Sequence, residues 1–481
     1  MRDRVARARE EITLALGEGR GTDAWRAALV ALESRGRFGI RMGLDRSTAL
    51  LRALGSPEQG VRGALVAGTN GKGSVVALVS SALRAAGVRH ATTPKPHLVS
   101  YRERVQIDGT PLAPLPFARA VANALEAADR IEPQVGPATE FELLVGAIFD
   151  ALRSEQIATA IVEVGLGGRL DATHAWDGGV AVVTNVGLDH QQYLGDTIEA
   201  IAAEKAAIIV RGDRAVSGAS ERGGALDVIR ARARSVGAPL VVARAGAVRP
   251  LGRDGIEVEL EGRGALRVAL LGRHQGANAA VAAATLDALR DAGIASVTDE
   301  EMRIGFATAR WPGRLELVPR ALGSGDARDL LLDGAHNADG AAALAAALDD
   351  LAPHLLDADG AAGSPPTLLL AVMADKSVAE LCAALAASPT LRAAQVICTS
   401  VGDVRSLAPD RLAAFARTAG LGADVQVDAD PHAGLQRAAE RRGPIVVAGS
   451  LYLVGAIRSE LLRRGAIADD GSSDDVAGFG A

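Results

Sequence analysis

The stretch Ala64-Leu-Val-Ala-Gly68-Thr69-Asn70-Gly71-Lys72-Gly73-Ser74 is a short apolar run that breaks into glycines and then opens a helix. It reads as a phosphate-binding loop. Glycines at 68, 71 and 73 let the backbone come close to an anion, and the positive end of the following helix faces it. Lys72 would place a point charge on the outer phosphates, and Ser74 would offer a hydroxyl to magnesium. Val75, Val76, Leu78, Val79, Ala82 and Leu83 recur at helical spacing and Gly87 stops the pattern, so the strand, loop and helix context is present. The general pattern G-x-x-x-x-G-K-[ST] does not fit, because Gly68 and Gly71 are too close and Gly73 separates Lys72 from Ser74. A glycine-rich turn carrying a solvated lysine is the other reading of this stretch alone.

At 481 residues the chain exceeds what one core supports and predicts two or three domains. With 52 basic against 58 acidic side chains the net charge is −6, which gives no basic field for nucleic acid or acidic lipid and favours a small-molecule substrate. Cys382 and Cys398 lack disulfide or metal spacing and read as reduced core residues of a cytoplasmic protein. The start, Met1 to Leu16, has no continuous apolar segment, and no stretch is long enough to span a bilayer, so neither export nor a membrane is expected. Asp469 to Ala481, rich in Gly, Ser and Asp, is expected to be a disordered tail.

Around the loop the chain carries polar clusters at strand ends. Arg35 to Leu44 is a Gly- and Arg-rich turn between helical patterns, able to line the loop's mouth or simply to connect helices. Pro94-Lys95-Pro96-His97 forbids helix, and Val99 to Asp108 reads as an exposed strand closed by Asp108-Gly109. Thr139 and Glu142 form a capping pattern for a helix over Ala138 to Arg153. Ile157 to Gly165 and Val180 to Val183 are near-continuous apolar runs, the mark of central parallel strands. Glu163 ends the first and Asp189-His190 follows the second. Ligands of open α/β sheets bind at such ends, so Ser74, Glu163 and His190 could converge on magnesium. Pairing of Glu163 with Arg169 is the competing reading. Lys205 borders an apolar run, and its plain role would be a stem along the core with its head in water. Asn278 could read an adenine edge or simply start a helix running to about Asp291.

A boundary falls near Arg303 to Arg310. Beyond it, strands at Asp329 to Leu332, Thr367 to Val372, Gln395 to Thr399 and Pro444 to Ala448 alternate with helical patterns, which implies a parallel sheet. The first of these ends in Asp333-Gly-Ala-His336-Asn337. Pro239 to Ala243 and Gly255 to Leu260 read as strands of a partly exposed sheet.

Taken together, the chain resembles the folylpolyglutamate synthase and dihydrofolate synthase family of the Mur ligase superfamily. The motifs that carry the resemblance are Arg37-Phe-Gly-Ile-Arg-Met-Gly-Leu44, Val66 to Ser74, Pro96-His-Leu-Val-Ser-Tyr-Arg-Glu-Arg104, Glu163-Val-Gly-Leu-Gly-Gly-Arg-Leu-Asp-Ala-Thr173, Gly187-Leu-Asp-His190, Trp311-Pro-Gly-Arg-Leu-Glu316, Asp333-Gly-Ala-His-Asn337 and Ala448-Gly-Ser-Leu-Tyr-Leu-Val454. The resemblance implies an α/β protein with an N-terminal P-loop ATPase domain over residues 1–308, whose sheet is mostly parallel. A smaller Rossmann-like α/β ligase domain over 309–468 follows, with catalysis between the two. It implies that Thr69, Asn70, Gly71, Lys72, Gly73 and Ser74, with Asn278, Arg314 and Asp333, bind ATP. Ser74, Glu163 and His190 would hold Mg2+, and Lys72, Lys205 and His336 would be the catalytic set. Lys95, His97, Thr139, Phe141, Leu170, Asp171 and Ala172 would meet the substrate. Lys205 matches a lysine that the family carbamylates, and a second Mg2+ or a K+ is a further expectation.

The implied reaction activates the carboxylate of a folate, tetrahydrofolate polyglutamate or dihydropteroate, as an acyl phosphate, which L-glutamate attacks to form an amide. Metal and Lys72 would stabilise the transferred group, and domain closure would keep water out. A monomer is expected, acting on small molecules without nucleic acid or membrane. Three departures stand out. The family's Thr-Ser-Pro-His-Leu is Pro94-Lys95-Pro96-His97-Leu98 here, Asp-Ala-Thr-Asn is Asp171-Ala-Thr-His174, and Lys-Ala-Gly is Lys205-Ala-Ala207. The first directs Lys95 at the acceptor pocket. It keeps open a Mur-type amide ligase acting on a different carboxylate, beside a nucleotide-binding protein without turnover.

Overall fold

A computed structural model describes residues 2–35, 41–221, 223–323, 325–402 and 405–468. The expected tail at 469–481 and part of the Gly- and Arg-rich turn, residues 36–40, lie outside them.

The apolar run ahead of the glycines is the middle of a parallel sheet. The strands of this sheet are β1 (Arg62–Ala67), β2 (Ala91–Thr93), β3 (Gln106–Ile107), β4 (Thr110–Pro111), β5 (Thr159–Glu163), β6 (Gly179–Val183), β7 (Arg214–Ser217) and β8 (Leu240–Val242). Their spatial order is β4-β3-β2-β5-β1-β6-β7-β8. Only β3 and β4 run antiparallel to their neighbours. β1 is buried over all but Arg62 and lies between β5 and β6, so the chain moves to one side of β1 and then crosses to the other. That reversal puts the carboxyl end of β1 at a topological switch point, where an open α/β sheet leaves a crevice.

Helix Lys72–Ala85 continues the loop and is buried from Gly73 to Leu83, as the helical spacing of its apolar residues requires. Helix Glu140–Ser154 starts at a capping box in which the Thr139 hydroxyl accepts from the Glu142 amide and the Glu142 carboxylate accepts from the Thr139 amide. The strand expected at Val99 to Asp108 is confined to its last residues. Val99, Tyr101 and Val105 are buried, and Tyr101–Arg104 form a 3-10 turn, so a half-exposed strand cannot run through them. Asp108 and Gly109, at φ +52° and +85°, make the tight turn between β3 and β4.

The chain divides into two compact units. Among the described residues the first is drawn from Met1–His97, Tyr101–Ala243 and Ala280–Gly305, the second from Leu98–Ser100, Arg244–Ala279 and Phe306–Ala481. The sequence reading placed Arg244–Ala279 with the first domain. In the structure this segment forms β9 (Ala245–Pro250), β10 (Ile256–Leu260) and β11 (Gly264–Val268), an antiparallel sheet. Arg253 from it pairs at 2.8 Å with the fully buried Asp329, Arg273 pairs at 2.7 Å with Asp350, and Leu271 packs into the second unit's core, so these contacts join the segment to the second unit.

The second unit holds a sheet of β12 (Glu316–Pro319), β13 (Asp329–Leu332), β14 (Thr367–Leu370), β15 (Gln395–Cys398), β16 (Asp424–Val427) and β17 (Ile445–Ala448). The order is β12-β13-β17-β14-β15-β16, parallel except for the edge strand β12. The sequence pattern finds β13, β14, β15 and β17, which are buried throughout or nearly so. It misses β12 and β16, which lie at the edges and are partly exposed, so their apolar runs are broken. Cys382 and Cys398 are buried free thiols, pushed by burial up to about 11 and about 12. No helix among the described residues is long and apolar enough to cross a membrane.

At the amino end of the first sheet Asp213 is buried, and burial, with the charge of Asp177 adding to it, raises its carboxyl above the usual range. A raised acid binds its proton more tightly when folded, so this group stabilises the fold at low pH and loses that contribution as pH rises through the folded pKa. Asp213→Asn should therefore gain thermal stability relative to the parent at pH 8.5 compared with pH 5. An equal difference at the two pH values would show that Asp213 titrates normally.

Candidate active site

The loop after β1 is tied to the exit of β6. Gly68 sits at φ +154°, and a Cβ there would come within 1.9 Å of Thr184 Oγ1. Thr184 Oγ1 donates to the Asn70 carbonyl at 2.7 Å, and the amides of Thr69 and Asn70 donate to the Asn185 carbonyl and to its Oδ1 at 3.1 and 2.8 Å. Thr69 Oγ1 donates to the Gly187 carbonyl and accepts the Gly187 amide. Thr69 and Asn70 thus spend their amides on fixing the loop. Gly71, at φ +81°, turns the chain so that the helix start at Lys72, Gly73 and Ser74 becomes its anion-facing end. Ser74 is buried. Thr184 and Asn185 were missed as site residues; the signal was a second polar pair at the end of a buried strand.

Two ammonium groups share one carbonyl. Lys72 Nζ donates to the carbonyls of Gly68 and Thr69 at 2.9 and 3.1 Å, and Lys205 Nζ donates to the same Gly68 carbonyl at 3.0 Å. Lys205 comes from helix Ile198–Ala206 and is only 4% exposed, so its head does not reach water. Burial first, and the charge of Lys72 second, lower its pKa to about 7. Gly168 lets this helix approach, since a Cβ there would fall 2.7 Å from the Glu204 carbonyl and 3.2 Å from Lys205 Cα.

The loops after β2 and β5 meet beside it. Glu163, buried at the end of β5, accepts the Lys95 amide at 3.0 Å. Arg169 pairs with Glu204 at 2.8 Å, not with Glu163. Asp171 holds the glycine-rich turn: Oδ2 accepts the amides of Gly165 and Leu166, and Oδ1 accepts the amide and hydroxyl of Thr173. Leu170 is partly exposed and Ala172 is buried on either side of it. Lys95 Nζ lies 4.2 Å from the centroid of the Phe141 ring. Burial, more than any neighbouring charge, lowers its pKa to about 8. His97 accepts at Nδ1 from Arg104 Nε at 3.0 Å, so its neutral form carries the proton on Nε2. The Thr139 hydroxyl is committed to its cap, and Glu142 also takes Arg46 at 2.9 Å, a pair not foreseen from sequence.

His190, at φ +52°, follows Asp189 and is partly exposed. Among the described residues no three His, Cys, Asp or Glu side chains gather as a metal cluster. The expected set instead draws on a hydroxyl, a carboxylate and an imidazole. Its hydroxyl and carboxylate oxygens and low protein ligand count suit magnesium, which keeps waters and phosphate oxygens in its shell, whereas the His190 imidazole is a softer nitrogen donor.

In the second unit, Asp333 at the end of β13 accepts the amides of Leu315 and Ala335, both at 2.8 Å. Burial raises its pKa, against the charge of Arg314. Arg314 donates to the Gly313 carbonyl at 3.2 Å. His336 Nδ1 lies 2.8 Å from the Gly334 carbonyl, which can only accept, so the proton sits on Nδ1. Asn278, in helix Gln275–Asp291, donates to Gln275 Oε1 at 2.8 Å.

Residues 66–217 match the Mur ligase middle domain, and residues 321–463 match the dihydrofolate synthetase C-terminal domain. The loop, switch point and second α/β unit are thus those of a Mur ligase-type enzyme. A dihydrofolate synthase/folylpolyglutamate synthase of Bacillus subtilis is 36% identical over 333 residues, covering 67% of this chain and 75% of that protein. The structure of a Mycobacterium tuberculosis folylpolyglutamate synthase complexed with ADP superposes with a TM-score of 0.80 at 29% identity, covering 92% of this chain and 99% of that one. A bifunctional folylpolyglutamate synthase/dihydrofolate synthase of Yersinia pestis, complexed with AMPPNP and a manganese ion, gives 0.73 at 26% identity, covering 91% and 98%. The chain belongs to the folylpolyglutamate synthase/dihydrofolate synthase family.

Gly68→Ala meets both a steric and a backbone penalty and should cost about 2–3 kcal/mol. Gly87→Ala meets only the left-handed backbone, since it has φ +68° with nothing within 4 Å, and should cost about 1 kcal/mol. Denaturant unfolding of both variants separates the two penalties; equal losses would mean that Thr184 does not hold the loop.

Proposed function

We propose that the chain is an ATP-dependent ligase that joins the amine of L-glutamate to the carboxylate of a folate, with dihydropteroate as a second acceptor. Family membership supports the reaction class. The observation that carries the reading to this chain is the meeting of Lys72 and Lys205 on the Gly68 carbonyl, in a loop locked by Thr184 and Asn185. The names of the relatives supply the acceptor and the nucleotide.

In the first step a carboxylate oxygen of the acceptor attacks the γ-phosphorus of ATP and ADP leaves. Lys72 neutralises charge on the outer phosphates, and the helix start at Lys72 to Ser74 receives the phosphate oxygens. Ser74, Glu163 and His190 would hold the divalent ion, which when bound shields the phosphate charge. By resemblance to the family, Asn278, Arg314 and Asp333 would contact the nucleotide. In the second step the glutamate amine attacks the acyl carbon, phosphate leaves and the amine loses a proton. His336, with its own proton held at Nδ1, keeps Nε2 as an acceptor suited to that proton. Phe141, Leu170 and Ala172 give the acceptor an apolar seat.

Lys205 is carbamylated in this reading. An amine with a pKa of about 7 is neutral in about half of the molecules at neutral pH, and the lone pair of that form can attack CO2, forming an N–C bond and releasing a proton. The product carries negative charge beside Lys72 where the ammonium carries positive charge, which removes the repulsion at the Gly68 carbonyl.

Two measurements test the reading. Phosphate release from magnesium-ATP with glutamate should require a pterin acceptor, with a product heavier by one glutamate. Release with neither tetrahydrofolate nor dihydropteroate accepted would move the assignment to another carboxylate. Lys205→Ala should lower turnover roughly 10–100-fold, as loss of a residue supporting a metal site does, and short carboxylates should restore part of it. Activity of the parent that is indifferent to removal of bicarbonate would exclude the carbamate.

A further inference from the structure

Lys95 is the one position in the substrate loop where this chain places a new charge, and the structure gives that charge nowhere to go. Its Nζ is buried and has no hydrogen-bond partner among the described residues. The nearby carboxylates do not take it. Both Asp171 oxygens are occupied, by the amides of Gly165, Leu166 and Thr173 and by the Thr173 hydroxyl. Glu163 accepts the Lys95 backbone amide, not the side chain. What lies against the ammonium is the face of Phe141 at 4.2 Å, which compensates part of a desolvated cation and satisfies none of its three donors. A buried ammonium left in this state is unfavourable in the free protein, which is the mark of a group positioned for a ligand.

The chemistry of that ligand follows from its surroundings. Lys95 follows β2, and β2 is separated from β1 by β5, so it stands about 10 Å across the sheet from the phosphate loop at the usual strand spacing. It faces Phe141 and the Asp171 turn, the acceptor side of the site. Pro94 and Pro96 fix the backbone on either side, so any adjustment is made by the flexible side chain. A flat ring seated on Phe141 displaces the ammonium from that face, and the displaced cation needs an anionic oxygen.

We propose that Lys95 is a specificity determinant that binds a second, non-reacting carboxylate of the acceptor, and so favours acceptors that already carry an amino-acid carboxylate over those with one carboxylate. The proposal rests on the ligase reading and names its substrate class: a glutamylated pterin is preferred to a pteroate.

The test compares kcat and KM of the parent, Lys95→Ser, Lys95→Met and Lys95→Arg for a two-carboxylate acceptor, tetrahydrofolate, and a one-carboxylate acceptor, dihydropteroate. Lys95→Ser and Lys95→Met should raise KM for the diacid by at least roughly tenfold, the scale of one hydrogen bond to a charged group. Their KM for the monoacid should stay within about twofold, and Lys95→Arg should keep most of the parent's preference. Lys95→Met should also raise the melting temperature of the ligand-free protein, because an unpartnered buried charge is gone. Equal losses on both acceptors, or none, overturn the proposal and leave the ligase reading standing. A parent that turns over neither acceptor overturns the ligase reading. Equilibrium binding of the two compounds to parent and Lys95→Ser then judges Lys95 directly, and the same split between diacid and monoacid is required.

Discussion

The Gly68 carbonyl is the point on which the first unit turns. It accepts from Lys72 and Lys205 together, one from the helix that follows the loop and one from a helix more than a hundred residues later. Two cations can share an acceptor in a buried place only if something holds them there, and here the holding is done by packing. Gly68 has no Cβ to keep Thr184 away, Gly168 has none to keep the Lys205 helix away, and Asn185 clamps the loop from the neighbouring strand. With Lys205 unmodified, the arrangement crowds two amines on one acceptor, a local cost that the proposed carbamate relieves while Lys72 keeps its charge for an incoming polyanion.

The strands most deeply buried were the ones visible in the sequence. β1, β5 and β6, with β13, β14, β15 and β17, are covered on both faces, and continuous apolar runs announce such strands. β12 and β16 are edge strands with mixed faces, and β3 and β4 are two residues each, too short for any period to register. The placement of Arg244–Ala279 with the second unit could not be read at all, because it depends on tertiary contacts, among them the Arg253–Asp329 and Arg273–Asp350 ion pairs and the packing of Leu271, and not on local pattern.

For the site, residue types at strand ends were legible and their partners were not. Glu163 at the end of β5 could be picked out as a lone acid after an apolar run, yet its pairing with Arg169 was an open alternative until the structure gave Arg169 to Glu204. Lys205 beside an apolar run allowed a head in water; only the packing of its helix on Gly168 shows that the head turns inward. Asp171, expected to meet substrate, also organises its own turn, a role that the sequence did not show. Tertiary partners come from segments far apart in the chain, and no local propensity encodes them.

The same logic explains why a chain with a net charge of −6 brings Lys72, Lys95 and Lys205 near one another, with Lys205 buried and Lys72 partly exposed. Asp171 contributes charge without a free oxygen, Glu163 is drawn into the backbone of the Lys95 loop, and burial lowers both Lys95 and Lys205. The Lys95 ammonium is therefore less well solvated than it would be on the surface, and becomes better matched to an anion than to water. Selectivity in such a site need not come from a closely fitted cavity. An acceptor whose second carboxylate reaches Lys95 gives that cation the partner it lacks, so the number of negative charges on the ligand, more than its shape, decides how well it is held.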